Sequence, residues 1–322
     1  MSASLFIAVC TFDRPALLRR CLRSILPQLP AHGGAAWLAV IDNDPAGSAR
    51  PVVEEESAAS GQVIQYAVEP EIGIPHARNR AADLCLEAKA DWLVFIDDDA
   101  LAGPGWIGAL LSAVSEYSAD AIAGPVEMPL PDPVPFWAIP ADAESPGEGA
   151  VIKVACTNNV AIRSGVFREH PALRFDTAMR FTGGSDADFF RRLVAAGGTI
   201  RWSERLRVSE PLTRERLTFR WQMARQFRIA CNKLYSYSKL RPVPALYARR
   251  FLRAVWFLFS GSAVFLGGMM LLPLGPKRFR KPVLGAALHV SWALGTFAGL
   301  MGCSAQPYRP DRIVAREAVV QD

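Results

Sequence analysis

The 322-residue chain has no pair of cysteines at C-x-x-C spacing; Cys10, Cys21, Cys85, Cys156, Cys231 and Cys303 are scattered. That scatter argues against a zinc site or a disulfide framework and fits buried thiols in a reducing compartment. Histidine is scarce, and His32, His76, His170 and His289 show no ligand spacing. No basic stretch or cleavage site precedes the first apolar run, Leu5–Val9, so no signal peptide is read and the N-terminal body is expected in the cytosol. Internal repeats are absent as well. Acids are thin at one end only: residues 201–322 hold 6 Asp+Glu against 21 Lys+Arg, whereas residues 1–200 hold 25 against 15. No DNA- or RNA-reading motif accompanies the basic residues, so nucleic acid is not the expected partner. Membrane lipids with anionic headgroups are.

Hydrophobic residues make up 51% of the chain and mean hydropathy is +0.14, oily for a soluble protein. The order of segments explains part of this. Leu5–Val9, Trp37–Ile41, Val63–Val68, Trp92–Ile96 and Ala121–Val126 read as strands. Helical stretches alternate with them at Pro15–Leu26, Ser48–Ala59, His76–Lys89 and Trp106–Val114. In the third helix Ala77, Ala81, Leu84 and Cys85 fall on one face. Such alternation predicts a mainly parallel sheet with helices on both faces. Six of the 24 prolines (129, 131, 133, 135, 140, 146) mark a loop over Pro129–Gly149. Strand character returns over Val151–Arg163, broken at Cys156–Asn159. Phe189–Ala196 reads as a helix capped by Ser185 or Asp186, Thr199–Trp202 as a strand, and Arg214–Tyr237 as a long basic helix.

Two apolar runs, Ala254–Leu272 and Val283–Cys303, are each long enough to cross a bilayer. Basic residues flank them: Arg249, Arg250 and Arg253 before, Lys277, Arg278, Arg280 and Lys281 between, Arg309, Arg312 and Arg316 after. A spanning hairpin puts the middle cluster outside, against the positive-inside tendency, whereas an interfacial or re-entrant pair keeps every basic cluster on the cytosolic face. Both topologies stay open at this point. The expected division is a catalytic domain over 1–212, a basic helical linker over 213–253, a membrane-associated hairpin over 254–303 and a basic tail over 304–322.

The run Asp91–Ala100 carries the chemistry. Trp92–Ile96 is a strand buried on both faces that ends in Asp97, Asp98 and Asp99. Adjacent carboxylates at a strand's carboxyl end repel one another unless a cation joins them, and a divalent ion with oxygen ligands that also holds a diphosphate is the simplest one. A solvated acidic turn is the plainer reading of the same residues.

Five short motifs in order decide between these. Thr11-Phe12-Asp13-Arg14-Pro15, Val40-Ile41-Asp42-Asn43, Gly73 followed by Ala77-Arg78-Asn79, Asp97-Asp98-Asp99, and Gly184-Ser185-Asp186-Ala187-Asp188 each stand at a strand end or helix start. Over residues 4–230 the chain resembles the inverting glycosyltransferases of family 2, in its bacterial succinoglycan and exopolysaccharide branch. The resemblance implies an α/β GT-A fold, a Rossmann-like mixed sheet followed here by membrane-associated helices. It also implies transfer of one sugar from a nucleotide sugar, a UDP-sugar by expectation, to a lipid-linked or polysaccharide acceptor. Asp97 and Asp99 then hold Mg²⁺ or Mn²⁺, and Thr11, Arg14, Asp42, Arg78, Asp97 and Asp98 bind the nucleotide sugar. Asp42 faces a uracil ring in that scheme, or else holds an Asx turn with Asn43. Asp98 points towards the base-ribose or Arg78. Asn159 and Ser185 make acceptor or sugar contacts, with Ser185 standing where the family usually has Glu.

An inverting displacement needs one general base for the acceptor hydroxyl, and Asp186 is the candidate. The positive end of a helix dipole suits a carboxylate there; Asp186 as a plain helix cap and Asp188 as the base are the alternatives. Leu217-Thr218-Phe219-Arg220-Trp221 is similar to the Gln-x-x-Arg-Trp of processive synthases but lacks the Gln, so single-sugar addition is expected. Arg220, Arg225 and Arg228 face either carrier phosphates or the membrane. Phe136 and Trp137 either stack on a sugar or pack their own loop. A self-associating chain is compatible with the sequence. The competing class is an inactive transferase-like scaffold that binds nucleotide or partner proteins. A nucleotidyltransferase would need a Gly-rich, Lys-bearing loop after the first strand, and Thr11–Pro15 is not one. The resulting expectation for location is the cytoplasmic face of the inner membrane.

Overall fold

The computed structural model describes residues 3–30, 35–138, 144–239 and 243–309. His32, Pro140, Arg312 and Arg316, named above, lie outside them. The first half alternates as expected: β1 (Leu5–Thr11), α1 (Pro15–Ile25), β2 (Ala36–Asp42), α2 (Arg50–Ser60), β3 (Ile64–Val68), α3 (Ile74–Glu87) and β4 (Trp92–Asp97). Then come β5 (Leu101–Ala102), α4 (Trp106–Glu116), β6 (Ala121–Ala123), β7 (Val126–Glu127), β8 (Val151–Ile152), β9 (Asn159–Arg163) and α5 (Gly165–Glu169). The order closes with α6 (Ser185–Ala195), β10 (Ile200–Trp202), β11 (Val208–Ser209), α7 (Phe219–Ser238), α8 (Val243–Met269) and α9 (Pro276–Leu300).

The main sheet runs β3-β2-β1-β4-β9-β6-β10-β8. β3, β2, β1 and β4 are parallel, whereas β9 is antiparallel to both its neighbours, so the sheet is mixed. The mainly parallel sheet predicted from the alternation holds for its first half only. β5, β11 and β7 form a second, small sheet. The predicted strand Ala121–Val126 is therefore split between two sheets. Gly124 marks the split, since a Cβ there would lie 2.4 Å from Leu206 Cβ.

One unit comprises residues 1–129, 143–180 and 185–211. Its sheet is covered on both faces, and β1 shows how. Leu5, Ile7 and Val9 join Leu18, Cys21, Leu22 and Ile25 of α1 in one core, while Phe6 and Ala8 join Ala77, Ala81, Leu84 and Cys85 of α3 in the other. A period of two along the strand feeds two cores at once. Each fully buried Leu, Ile or Phe contributes about 1.5–3 kcal/mol relative to exposure.

Residues 130–142, 181–184 and 212–322 make the other unit. α8 and α9 run antiparallel: Gly261 meets Ala286 and His289, and Gly268 meets Pro282 and Val283. α7 lies parallel to α9 at very close range. A Cβ on Gly295 would be 2.2 Å from the Phe227 carbonyl oxygen, and one on Gly299 would be 2.5 Å from that of Cys231. Two glycines four apart let the backbones touch. Phe136 and Trp137 pack with Phe219 and Phe279 at ring-centroid distances of 5.0–6.4 Å. Both aromatics thus pack beyond their own loop, Phe136 on α9 and Trp137 on α7. By length and composition, Pro244–Met269 and Arg278–Leu300 are each long and apolar enough to cross a membrane. The thiols are free: Cys21, Cys85 and Cys231 are buried as expected, while Cys156 and Cys303 are exposed.

Candidate active site

In-register pairing sets Thr11 beside Asp42 and Cys10 beside Asp97, so three strands end at one edge of the sheet. β9 enters from that edge, with Asn159 against Ile96. Open α/β sheets bind ligands at such an edge.

The three aspartates point to different neighbours. Asp98 is buried and turns inwards, accepting from Thr11 Oγ1 at 2.7 Å and from Arg14 Nη1 at 3.4 Å. Its expected partner Arg78 is thereby replaced by Thr11 and Arg14. Burial pushes the Asp98 carboxyl up to about 6, against the pull of Arg14. Asp97 and Asp99 stay partly open. Burial pushes Asp97 up to about 7; Arg78 pulls it down, and Asp99, Asp98 and Glu210 push it further up. Asp99 lies 3.8 Å from Arg14 Nη1.

Asp97 and Asp98 resist ionising, first because burial strips their water and then because neighbouring carboxylates repel them. The residues therefore fit a divalent cation, the hard ion that oxygen donors favour. Among the described residues no cluster of three or more His, Cys, Asp or Glu side chains forms a metal site. Two carboxylates with remaining positions left to substrate phosphate and water is the pattern of Mg²⁺-type sites.

Arg78 reaches the other half of the site. It rides on α3, whose start is fixed by Asn43: the Asn43 side chain accepts from Gly73 N at 2.7 Å and donates to the Glu69 and Glu71 carbonyls. Gly73 has φ 150°, and a Cβ there would lie 2.5 Å from Arg180 Cβ. Gly73→Ala is therefore expected to destabilise the fold by about 1–3 kcal/mol. A chemical denaturation midpoint equal to that of the wild type would overturn this account of the turn. Arg78 Nη1 donates to Ser185 Oγ at 3.1 Å, tying α3 to the first residue of α6. Its neighbour Asn79 serves the scaffold, pairing in both directions with the Phe175 backbone at 2.9 Å.

The helix expected over Phe189–Ala196 begins four residues earlier, at Ser185. Gly183 and Gly184 lead into it at φ 72° and 85°, values that glycine adopts without strain. Asp186 lies in its first turn and is half-buried. Asp188 is fully buried and ion-paired with Arg192 at 2.8 Å, which gives it a structural occupation. Cys156 links the two halves: its thiol contacts Asp186 and feels Asp97 and Arg78. The residue is exposed as a whole, yet desolvation around the sulfur, then Asp186 and Asp97, push its pKa up to about 12. Asp186 and Asp97 both bear on the one thiol.

Two expected contacts land elsewhere. Asp42 is fully buried and accepts from Asp44 N, Ala49 N and Tyr66 Oη at 2.8–3.0 Å. It holds the turn into α2, and this conformation leaves it no surface for a base. Asn159 is buried too; its amide donates to the Pro125 and Leu206 carbonyls and accepts from Trp106 Nε1, so it fastens β9 to its surroundings instead of facing a sugar. One acid went unread in the sequence. Glu210 follows β11, is buried, and adds its charge to that around Asp97. It is one of only six acids in the last 122 residues, a signal without a motif to interpret it.

The family model "Glycosyl transferase family 2" matches residues 6–170, half of the chain and all the strands that build this edge. The succinoglycan biosynthesis protein ExoM of Rhizobium meliloti is 32% identical over 231 residues, covering 69% of this chain and 71% of its own length. The chain belongs to glycosyl transferase family 2. It is a glycosyltransferase, and its fold agrees. A mannosyltransferase from Pyrobaculum calidifontis, solved with GDP-Man and Mn²⁺, superposes with TM-score 0.56 at 13% identity, over 99% of this chain and 81% of that one. S. aureus TarS 1–349 in complex with UDP gives 0.53 at 11% identity, over 93% and 92%. The chain spans 39% of a longer TarS chain that it also matches.

Proposed function

We propose that this glycosyltransferase moves one sugar, with inversion, from a UDP-sugar to a lipid-linked glycan at the cytoplasmic face of the inner membrane, in exopolysaccharide assembly. The carrying observation is Arg78, whose charge acts on Asp97 while its guanidinium donates to Ser185 Oγ at 3.1 Å, the residue that opens the helix turn bearing Asp186. ExoM's printed role in succinoglycan biosynthesis and the UDP and GDP-Man bound by the fold neighbours support the substrate class.

In this reading Asp97 and Asp99 hold Mg²⁺ or Mn²⁺, which when bound neutralises charge on the departing nucleoside diphosphate. Asp98, locked by Thr11 and Arg14, positions that pair and keeps Arg14 beside the phosphates. Arg78 presents its guanidinium between the acids and Ser185, a geometry suited to phosphate oxygens. Asp186 accepts the proton of the acceptor hydroxyl as that oxygen attacks the anomeric carbon from the face opposite the leaving diphosphate. Water at the acceptor position would be activated in the same way. The proposal keeps catalysis within 1–212 and gives the later helices to attachment to lipid.

The test is nucleotide release by the purified full chain in detergent, with a panel of UDP-, GDP- and dTDP-sugars and Mn²⁺, Mg²⁺ or EDTA. Slow, metal-dependent release of a single nucleoside diphosphate is expected even without acceptor. If no sugar nucleotide binds with either metal, the donor reading fails and a scaffold that binds partner proteins replaces it.

A further inference from the structure

We infer that α8 and α9 lie in one leaflet of an anionic membrane without crossing it, and that a stripe on α8 is the lipid-facing surface. The inference deepens the membrane attachment proposed above and rests on it.

The decisive contacts are at the two ends of α9. At its start, Arg280 Nη1 donates to the Phe136 carbonyl at 2.7 Å, and Phe279 packs on the Phe136 ring. Past its end, the Ala305 backbone exchanges hydrogen bonds with the Asn232 side chain, which also donates to the Thr182 carbonyl, and Tyr308 packs against Gly183. Phe136 belongs to a loop that leaves the chain after β7, and Thr182–Gly183 immediately precede α6. α9 has 25 residues and is about 37 Å long, against about 30 Å of hydrocarbon. If it crossed, one of these two loops would lie on the far side. The loop around Phe136 would have to pass through lipid twice, with Pro129, Pro131, Pro133, Pro135 and Asp132 in irregular backbone. Lipid-exposed irregular backbone does not occur in the hydrocarbon, where its N–H and C=O groups find no partners.

α7 adds a second constraint. Its contact through Gly295 and Gly299 lays it flush along the last part of α9. Crossing by α9 would therefore draw Arg225, Arg228 and Lys233 towards the hydrocarbon, a costly place for a cation.

An in-plane arrangement satisfies both constraints, and α8 supplies the face for it. Leu252, Trp256, Phe259 and Leu266 are 67, 69, 72 and 67% exposed, at spacings that put them along one side of the helix with Ala263 between, and Met270 just past its end is 81% exposed. The charge around this stripe identifies the occupant. Residues 216–310 contain 15 Lys+Arg and no Asp or Glu at all. A helical unit with an apolar stripe and only cations is complementary to acyl chains beneath anionic headgroups. A second copy of the same cationic surface would repel it.

The experiment uses full-length protein in membrane vesicles from expressing cells, carrying Lys281→Cys or, as a reference on the catalytic unit, Glu55→Cys. Peptide mass after treatment with an impermeant maleimide reads each site apart from native Cys156 and Cys303. Both variants are expected to label equally in the same vesicle orientation, with no gain on adding detergent. Labelling of Lys281→Cys only after detergent, or only in the opposite orientation, would overturn the inference and leave membrane attachment standing. Failure of the chain to sediment with any vesicles would instead remove the attachment on which it rests. For the stripe, Phe259→Glu with Leu266→Glu is expected to lower partition onto phosphatidylglycerol-containing vesicles by at least about 10-fold. Wild-type binding to phosphatidylcholine vesicles should be weak. Unchanged partition with loss of a dimer in detergent sedimentation would show a copy-to-copy interface in place of the lipid face.

Discussion

Asp186→Asn is expected to bind donor as the wild type does and to transfer sugar about 10³-fold more slowly, the middle of the range for loss of a general base. The amide keeps the size of the carboxylate and its place in the first turn of α6, so the Arg78–Ser185 link beside it should persist. What disappears is the ability to accept a proton. Because the loss falls on the chemical step, kcat should drop while the donor dissociation constant, measured by calorimetry with the UDP-sugar and Mn²⁺, stays within about twofold of the wild type. Single-turnover transfer to acceptor separates this from slow release. Wild-type turnover by Asp186→Asn would assign the residue to capping alone. Asp188, buried and committed to Arg192, is expected to fail differently: removing its charge breaks an ion pair on the core side of α6 and should lower stability before it lowers turnover.

Asp99→Asn should strike the opposite quantity. With Asp98 turned towards Thr11 and Arg14, the open acids at the end of β4 are Asp97 and Asp99, and removing one takes away half of the protein's charge for the cation. Lewis-acid assistance is worth several kcal/mol. A loss of about 10²–10³-fold in kcat/KM is therefore expected, together with a raised Mn²⁺ requirement visible as a shifted metal titration. Donor affinity with EDTA present should be nearly the same in variant and wild type. If Asp99→Asn binds donor and metal normally, the cation is held elsewhere and the pairing of Asp97 with Asp99 is wrong. Together the two variants form a cross: one loses transfer and keeps binding, the other loses metal-dependent binding.

Much of this site is legible in the sequence. Alternation of branched apolar runs with helical spacing carries the α/β order, because the period of a buried strand and that of a buried helix face differ. Ala77, Ala81, Leu84 and Cys85, read as one face of a helix, are all buried in one core. Strand ends are visible as the residues where apolar runs turn polar, which is why Thr11, Asp42 and Asp97 were found. The family resemblance rests on three such strand ends and two helix starts in order.

What tertiary structure alone decided is the direction in which those polar residues turn. Asp42 and Asn159 share the edge with Asp97, yet both are consumed: Asp42 by the Asp44 and Ala49 N–H groups of its own turn and by the Tyr66 hydroxyl of the next strand, Asn159 by the Leu206 carbonyl from far along the chain. Nothing local distinguishes a carboxylate that holds a turn from one that holds a ligand. The difference is whether the fold brings a further partner, such as the Tyr66 hydroxyl, to it first. The reversal of β9 is of the same kind, since a strand's residues are alike in parallel and antiparallel pairing and only its neighbours set its sense. So is the lie of the apolar helices. Length and composition show that α8 and α9 are oily enough to cross a bilayer, but the contacts of Phe136 with the start of α9, and of Phe181 and Gly183 with Tyr308 past its end, are what argue against crossing. Composition records how much apolar surface a helix carries, and only packing records which ends are tethered to which loops.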